Sequence, residues 1–145
     1  MIKNNIEIKN LSDYPVKVRD CFEMIDIFKD QFGLAVNELS VSFLNDKEMT
    51  LINRDHLSHD GSTDVISFDY RESKSSKEID AEIIISAERA DLQAEEYSVS
   101  FENEVARLLF HGLLHIAGYN DDNAEEKNEM TKLENSLLHK WESSA

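Results

Sequence analysis

The segment between Leu108 and Gly118 most constrains the fold, because it contains no formally charged residue in a chain of which 31% is charged. Apolar side chains would surround this segment on nearly every face of a helix, so we expect a buried central helix. Two histidines, His111 and His115, lie within it. Because they are four residues apart, their imidazoles would project from one face and could bind a single metal ion.

Length and charge limit the classes of protein to which the chain can belong. A chain of 145 residues, 41% of them hydrophobic, is predicted to form one folded domain over residues 1–145. A net charge of −15 at pH 7 argues against a protein that coats DNA or a membrane surface. A lone cysteine, Cys21, and no signal-like or membrane-length apolar segment predict a cytoplasmic location.

The hydrophobic patterns predict a sheet with helices packed against it. Strands are predicted over residues 6–8, 39–43, 63–70 and 81–85, and helices over 16–32, 45–57, 86–96, 98–117 and 122–141. The last helix is predicted to open with a capping box of Asp122 and Glu125. Three consecutive isoleucines, Ile83 to Ile85, indicate a strand covered on both faces. The predicted fold is α+β: a small mixed four-stranded sheet packed with about five helices, one of them a zincin-like metal helix.

A third metal ligand is predicted just after the central helix. Gly118 can take a left-handed conformation that returns the chain, which would place Asp121 near the two histidines. The spacing of His111, His115 and Asp121 equals that of the metzincin zinc motif, but Gly112 stands where that motif has a catalytic glutamate. An alternative role for Asp121 is to cap the following helix.

Glu104 is a further candidate, because it lies two helical turns before His111 on the same face. It could orient a ligand imidazole or serve as a base. Alternatively, it is a solvated glutamate favoured by the helix dipole in the first turn. The remaining histidines are predicted to lie at the surface and not to bind metal: His56, His59 and His139.

Residues 111–121, HGLLHIAGYND, resemble the HGxLHLxGYDH signature of the YbeY-type metallo-endoribonucleases, also called ribosomal RNA maturation factors. Glu104 falls where that family has a glutamate. Residues 82–86 resemble the family's GDIxIS strand. Other matches are Asn53, Asp60, Thr63, Asp64, Val65, Ser67 and Phe68 in the LNxxYRxxDxxTDVLSF segment, and Met130 and Glu134 in the final helix.

The resemblance implies a cytoplasmic zinc enzyme that cuts single-stranded RNA, matures the 3′ end of small-subunit (16S) ribosomal RNA and takes part in ribosome quality control. It implies one Zn²⁺ per chain, bound by His111, His115 and Asp121, with Glu104, His111 and His115 as catalytic residues. The acidic surface predicts weak affinity for free RNA. We therefore expect the small ribosomal subunit or an assembly factor to deliver the single-stranded rRNA, and we expect neither DNA nor a membrane as partner.

The sequence departs from the family pattern at two positions. Asp121 stands in place of a third histidine, which lowers the charge of the site by one unit and predicts a less acidic metal-bound water. His56 and Leu57 align with the family's Tyr-Arg pair, so the arginine that would contact a phosphate is absent. A replacement cation is predicted to be Arg54 or to come from the loop over residues 71–77.

Three other functions fit parts of the pattern. A zincin-like metallopeptidase fits the histidine spacing, although Gly112 leaves it without the usual base. A non-catalytic ribosome-assembly factor, with a structural metal or none, fits the missing arginine. An iron oxygenase with two histidines and one carboxylate fits the predicted ligand set.

Overall fold

The computed structural model describes residues 1–57, 63–73 and 75–144, with residues 55–57 described by their backbone only. Each predicted strand and helix is present, with ends displaced by a few residues. In chain order the elements are β1 (Ile2–Lys3), β2 (Ile6–Asn10), α1 (Val18–Phe32), β3 (Ala35–Leu44), α2 (Asp46–Leu57), β4 (Val65–Asp69), β5 (Glu78–Ser86), α3 (Ala87–Tyr97), α4 (Phe101–Ile116) and α5 (Ala124–Ser143). No helix in the described part of the chain is long and apolar enough to cross a membrane.

The sheet is mixed and has the strand order β1-β2-β3-β5-β4. Strand β3 runs parallel to β2 and β5, whereas the edge strands β1 and β4 are antiparallel to their neighbours. The predicted α+β class is confirmed, but the sheet has five strands among the described residues, where four were predicted. The extra strand, β1, is two exposed residues long and is joined to β2 by Asn4 and Asn5, both with positive φ. So short a strand has no alternating pattern to detect.

Both faces of the sheet are covered where it approaches the predicted metal helix. Ile83 and Ile85 of β5 belong to the main core, which α1, α3, α4 and α5 form against one face. Ile84 faces the other side and packs with Met49 of α2 and Ile66 of β4. This arrangement matches the two-sided burial predicted from the three consecutive isoleucines.

Helix α4 lies at the centre of the molecule, in contact with α1, α3, α5, β4 and β5. It begins after Ser100, whose hydroxyl accepts a hydrogen bond from the backbone N–H of Asn103 at 3.0 Å. Gly112 permits its close approach to the sheet, because a Cβ at that position would lie 2.9 Å from Ile83 Cγ2 and 3.2 Å from Val65 Cγ1. A glutamate therefore has no room at position 112. This packing explains physically why the metzincin base is absent.

Candidate metal centre and adjoining cavity

Helix α4 and the turn that follows it bring the three predicted metal ligands together. His115 Nε2 lies 3.1 Å from His111 Nε2, and Asp121 Oδ2 lies 3.5 Å from His111 Nε2 and 3.7 Å from His115 Nε2. Three ligands about 2.1 Å from a tetrahedral ion are separated from one another by about 3.4 Å. The donor set therefore fits one small metal ion and leaves a fourth coordination position for another ligand.

The turn after α4 depends on Gly118, which has a φ of 105°. The Gly118 N–H donates to the carbonyl of His115 and the Tyr119 N–H to that of Leu114, each at 3.0 Å. These two bonds form a Schellman motif, which satisfies the last carbonyls of the helix and reverses the chain. The reversal carries Asp121 back to the histidines.

The alternative role for Asp121, capping α5, is wrong. The capping residue is Asn123, whose side chain accepts a hydrogen bond from the backbone N–H of Glu126 at 2.8 Å. The predicted capping box of Asp122 and Glu125 is therefore also wrong. The chain is still in the turn at Asp122, so the helix begins two residues later than predicted.

Glu134 of α5, which the sequence indicated only as a family match, contacts the proposed metal site directly. Its Oε2 lies 2.6 Å from His111 Nδ1, and its Oε1 accepts a hydrogen bond from Arg107 Nη1 at 3.1 Å. Burial alone would lower the pKa of His111, but Glu134, with Asp121 and Asp64, raises it. A carboxylate bonded to Nδ1 keeps the proton there and leaves Nε2 free to bind a metal.

Glu104 is buried, with 1% of its surface exposed, so the interpretation as a solvated first-turn glutamate is wrong. It makes no hydrogen bond to either imidazole, and the place of a residue that orients His111 is taken by Glu134. Its Oε1 has no hydrogen-bond partner among the described residues. Burial raises the pKa of Glu104 to about 7; Arg107 opposes this shift, and the charges of Asp64 and Glu134 add to it.

A cavity of about 300 Å³ is lined by two of the three predicted ligands, His111 and Asp121, and lies between α3, α4 and α5. It is lined by Asp64, Gln93, Tyr97, Glu104, Arg107, Leu108, His111, Asp121, Lys127, Met130, Thr131 and Glu134. Asp64, which the sequence indicated only as a family match, lines this cavity and accepts a hydrogen bond from Gln93 Nε2 at 3.4 Å. The cavity thus joins the candidate metal ligands to carboxylates and cations from distant parts of the chain.

The cations beside the site differ from those predicted to replace the family's arginine. Arg71 has a buried side chain that donates to Asp69 at 2.7 Å and to the carbonyl of Ile116, at the end of α4. It fastens β4 to α4 and is not placed to contact a phosphate, so that prediction is wrong for Arg71. Arg54 is exposed on α2 and does not line the cavity. Arg107 and Lys127 do line it.

The other predicted positions are distributed as follows. His139 is exposed on α5 and is not part of the ligand group. His59 and Asp60 lie outside the described residues, as does residue 74 of the basic loop. His56 and Leu57 are described by their backbone only.

Arg107 and Glu134 were not among the predicted site residues, although the sequence carries a signal for each. Arg107 lies four residues before His111, so it shares the helix face on which Glu104 and the histidines lie. Glu134 is a single carboxylate on the buried stripe that contains Met130 and Leu137. A charged residue on an apolar stripe needs a buried partner, which here is the His111 imidazole.

Comparison with known proteins gives one consistent family. The family model described as endoribonuclease YbeY matches residues 2–142. The endoribonuclease YbeY of Bacteroides thetaiotaomicron is 30% identical over 123 residues, which cover 85% of this chain and 88% of that protein. The endoribonuclease YbeY of Staphylococcus carnosus is 41% identical over 110 residues, 72% of each chain.

The fold has a counterpart among solved structures. The solution structure of TM1509 from Thermotoga maritima matches with a TM-score of 0.63 at 20% identity, covering 96% of this chain and 93% of that one.

The predicted enzyme class, a hydrolase that cuts RNA internally, is confirmed by the relatives, which are named as endoribonucleases. The resemblance predicted from residues 111–121 is likewise confirmed, and this chain belongs to the endoribonuclease YbeY family.

Proposed function

We propose that the chain is a single-strand-specific, metal-dependent endoribonuclease that matures the 3′ end of 16S ribosomal RNA and takes part in ribosome quality control. The observation that carries this proposal is the convergence of His111, His115 and Asp121 on one point, in a chain of the endoribonuclease YbeY family. We propose one Zn²⁺ per chain, since two imidazoles and a carboxylate are ligands that zinc accepts. The reaction is placed in the cytoplasm, where rRNA is made.

Zinc bound at this site would supply Lewis acidity, which makes water a stronger nucleophile near neutral pH and stabilises charge on phosphate oxygens. The chain's own residues supply orientation. Glu134 holds the His111 ring through Nδ1, and the Schellman turn at Gly118 holds Asp121 beside it. Three protein ligands leave room for a water molecule or a phosphate oxygen at the fourth position.

Cations on the cavity wall would bind the RNA backbone. Arg107 is held by Glu134 and by Asn135, to whose Oδ1 it donates at 3.0 Å, so its charge is fixed in place. Lys127 is exposed at the cavity and has no side-chain partner among the described residues. We assign to Lys127 the contact with a substrate phosphate that an arginine makes elsewhere in the family.

Delivery of the RNA follows from the charge of the chain. A net charge of −15 repels free RNA, because neutralisation of phosphates supplies most of the affinity of non-specific binding. The small ribosomal subunit or an assembly factor would bring the single-stranded rRNA to the cavity. DNA and membranes have no part in this proposal.

The proposal is tested with single-stranded RNA that spans the 3′ end of 16S rRNA and with zinc-loaded protein. Removing a residue that only hydrogen-bonds to a metal ligand already lowers activity about 10- to 100-fold. Removing a ligand itself, in His115→Ala, should therefore lower the rate of cleavage about 100-fold or more. His139→Ala is the matched control, because His139 is exposed on α5, and it should leave cleavage unchanged. Cleavage that survives both chelation and His115→Ala would contradict the proposal.

Two further measurements separate the alternatives. If folded His115→Ala protein fully supports rRNA maturation in cells, the chain is an assembly factor that does not depend on the metal site. If zinc-loaded protein digests casein and spares RNA, the chain is a metallopeptidase. The packing of Gly112 against Ile83 disfavours the peptidase, since no base can be placed there.

A further inference from the structure

We propose that the cavity beside the metal ligands is a nucleobase-binding site, in which the Glu104 carboxylate accepts hydrogen bonds from guanine next to the cleaved phosphate. This inference rests on the proposed function, because it takes single-stranded RNA as the substrate. In this proposal Glu104 contacts the substrate, whereas the contact that orients His111 is made by Glu134.

The first observation is a buried oxygen that lacks a donor. Glu104 is 1% exposed, and its Oε1 has no hydrogen-bond partner among the described residues. Arg107 Nε lies 4.0 Å from this oxygen, beyond the range of a hydrogen bond. Buried polar atoms in folded proteins nearly always have a partner. Because Glu104 lines the cavity, a molecule in the cavity can supply the donor.

The second observation is the size and lining of the cavity. About 300 Å³ is at the small end of the range for ligand sites, which suits one base. Leu108 and Met130 provide apolar surface, and Tyr97 provides an aromatic ring at the cavity edge. Apolar and aromatic side chains are the usual surroundings of an unstacked base in single-stranded RNA.

The third observation is the position of the cavity. His111 and Asp121 line both the candidate metal centre and the cavity wall. Bases and phosphates are joined through each ribose, so a phosphate at the metal would place a neighbouring base within reach of this wall. The base that the cavity accepts would therefore help to determine which phosphate is cut.

Guanine fits the chemistry of the cavity better than the other bases. A carboxylate has two acceptor oxygens, and the Watson–Crick edge of guanine presents two adjacent donors, N1–H and the 2-amino group. That edge is free in a single strand. Asp64 and Glu134 also line the cavity, and these acidic groups favour a base edge made of donors.

The test is a binding measurement on the full-length, zinc-loaded chain. Dissociation constants are measured by calorimetry at pH 8 for GMP, IMP, AMP, CMP and UMP, which contain no internucleotide bond to cleave. GMP should bind most tightly, and IMP, which lacks the 2-amino group, should bind about 5-fold or more weakly. Glu104→Gln should remove the preference for GMP, since an amide has one acceptor oxygen.

The matched control is Glu102→Gln, which removes a carboxylate from the same turn of α4 outside the cavity and should leave the order of affinities unchanged. Equal affinities for the five nucleotides, or no binding of GMP, would overturn the base site. Retention of the GMP preference in Glu104→Gln would overturn the role of Glu104. Equal affinities together with RNA cleavage would leave the proposed function intact, whereas a GMP preference without cleavage would leave only the base site.

Discussion

Helix α4 has two sides that meet opposite requirements. On the side towards the sheet, Gly112 lies against Val65 and Ile83, and no atom can be added without a clash. On the side towards the cavity, Glu104 and the two histidines carry polar atoms, and one Glu104 oxygen has no donor in the part of the chain that the structure describes. The first side determines where the helix lies, and the second provides groups that a metal ion and a substrate can use.

Rigidity and reactivity are therefore supplied by different residues of one helix. Close packing on the sheet side fixes the ligand positions to within the small tolerance that metal binding needs. On the cavity side, Glu104 Oε1 has no hydrogen-bond partner among the described residues. A buried polar atom without a partner reduces the stability of the fold, which natural proteins accept mainly at functional sites. Substitutions on the two sides should therefore have different effects.

The largest expected effect is the loss of stability in Gly112→Glu, which places a charged side chain on the side of α4 that packs against the sheet. The new side chain would clash with Ile83 and bury an unpaired charge, so we expect a loss of about 4 kcal/mol or more in the free energy of unfolding. Urea denaturation measures this loss. Asn128→Glu, at an exposed position of α5, is the control and should change stability by less than about 0.5 kcal/mol. A folded Gly112→Glu protein of normal stability would disprove the packing argument.

The next effect is a pH dependence caused by Glu104. Burial raises its pKa from 4.5 to about 7, so the folded state binds the proton more tightly than the unfolded state. The protonated Glu104 carboxyl therefore contributes to the free energy of unfolding below pH 4.5, and this contribution is lost as the pH rises towards 7. Glu104→Gln removes this loss. Between pH 4 and pH 8, the free energy of unfolding of the variant should therefore rise by up to about 3 kcal/mol relative to that of wild type.

The pH experiment is urea unfolding of metal-free wild type and variant across this range. Glu102→Gln is the control, because a hydrogen bond from its own backbone N–H and the nearby Lys17 lower the pKa of Glu102. Loss of that carboxylate should change the pH dependence weakly and in the opposite direction. Parallel pH profiles for wild type and Glu104→Gln would show that the raised pKa is not real.

The next effect is a loss of metal affinity when the carboxylate that orients His111 is removed. Glu134→Gln keeps the shape of the side chain but weakens the bond to His111 Nδ1 and the pair with Arg107. We expect zinc affinity to fall about 10- to 100-fold, as for other outer partners of metal ligands. Competition with a chromophoric chelator measures the affinity. Glu129→Gln on the exposed face of α5 should have no effect, and an unchanged affinity in Glu134→Gln would contradict the orienting role.

The smallest effect is expected at the cavity edge. Lys127→Ala should weaken RNA binding uniformly across sequences and reduce the dependence of log affinity on log salt by about one unit. Lys132→Ala, on an exposed position of α5 that does not line the cavity, is the matched control. Equal salt dependence in the two variants would place the phosphate contact elsewhere.

The parts of this structure that depend on short stretches of chain could be predicted from the sequence. The spacing of His111 and His115 follows from helix geometry, and the return of Asp121 follows from a glycine at the end of a helix. The burial of β5 on both faces was evident from its consecutive isoleucines. In each case neighbouring residues determine the result.

The parts that depend on distant contacts could not be predicted. Glu134 reaches His111 from a helix 23 residues later in the chain, and Asp64 reaches the cavity from the start of β4. The role of Arg71 was mistaken because its partner, the carbonyl of Ile116, lies 45 residues away. Such convergence follows from how α4 and α5 pack, which no local pattern encodes.

The central claim is that His111, His115 and Asp121 bind one zinc ion. The most direct measurement is zinc per chain, by elemental analysis of protein purified without added metal, for wild type, Asp121→Ala and Asp122→Ala. Asp122 is the matched control, since it lies outside the ligand group. We expect about one zinc in wild type and Asp122→Ala and little in Asp121→Ala. Absence of metal from all three proteins, or equal zinc in Asp121→Ala, would contradict the claim.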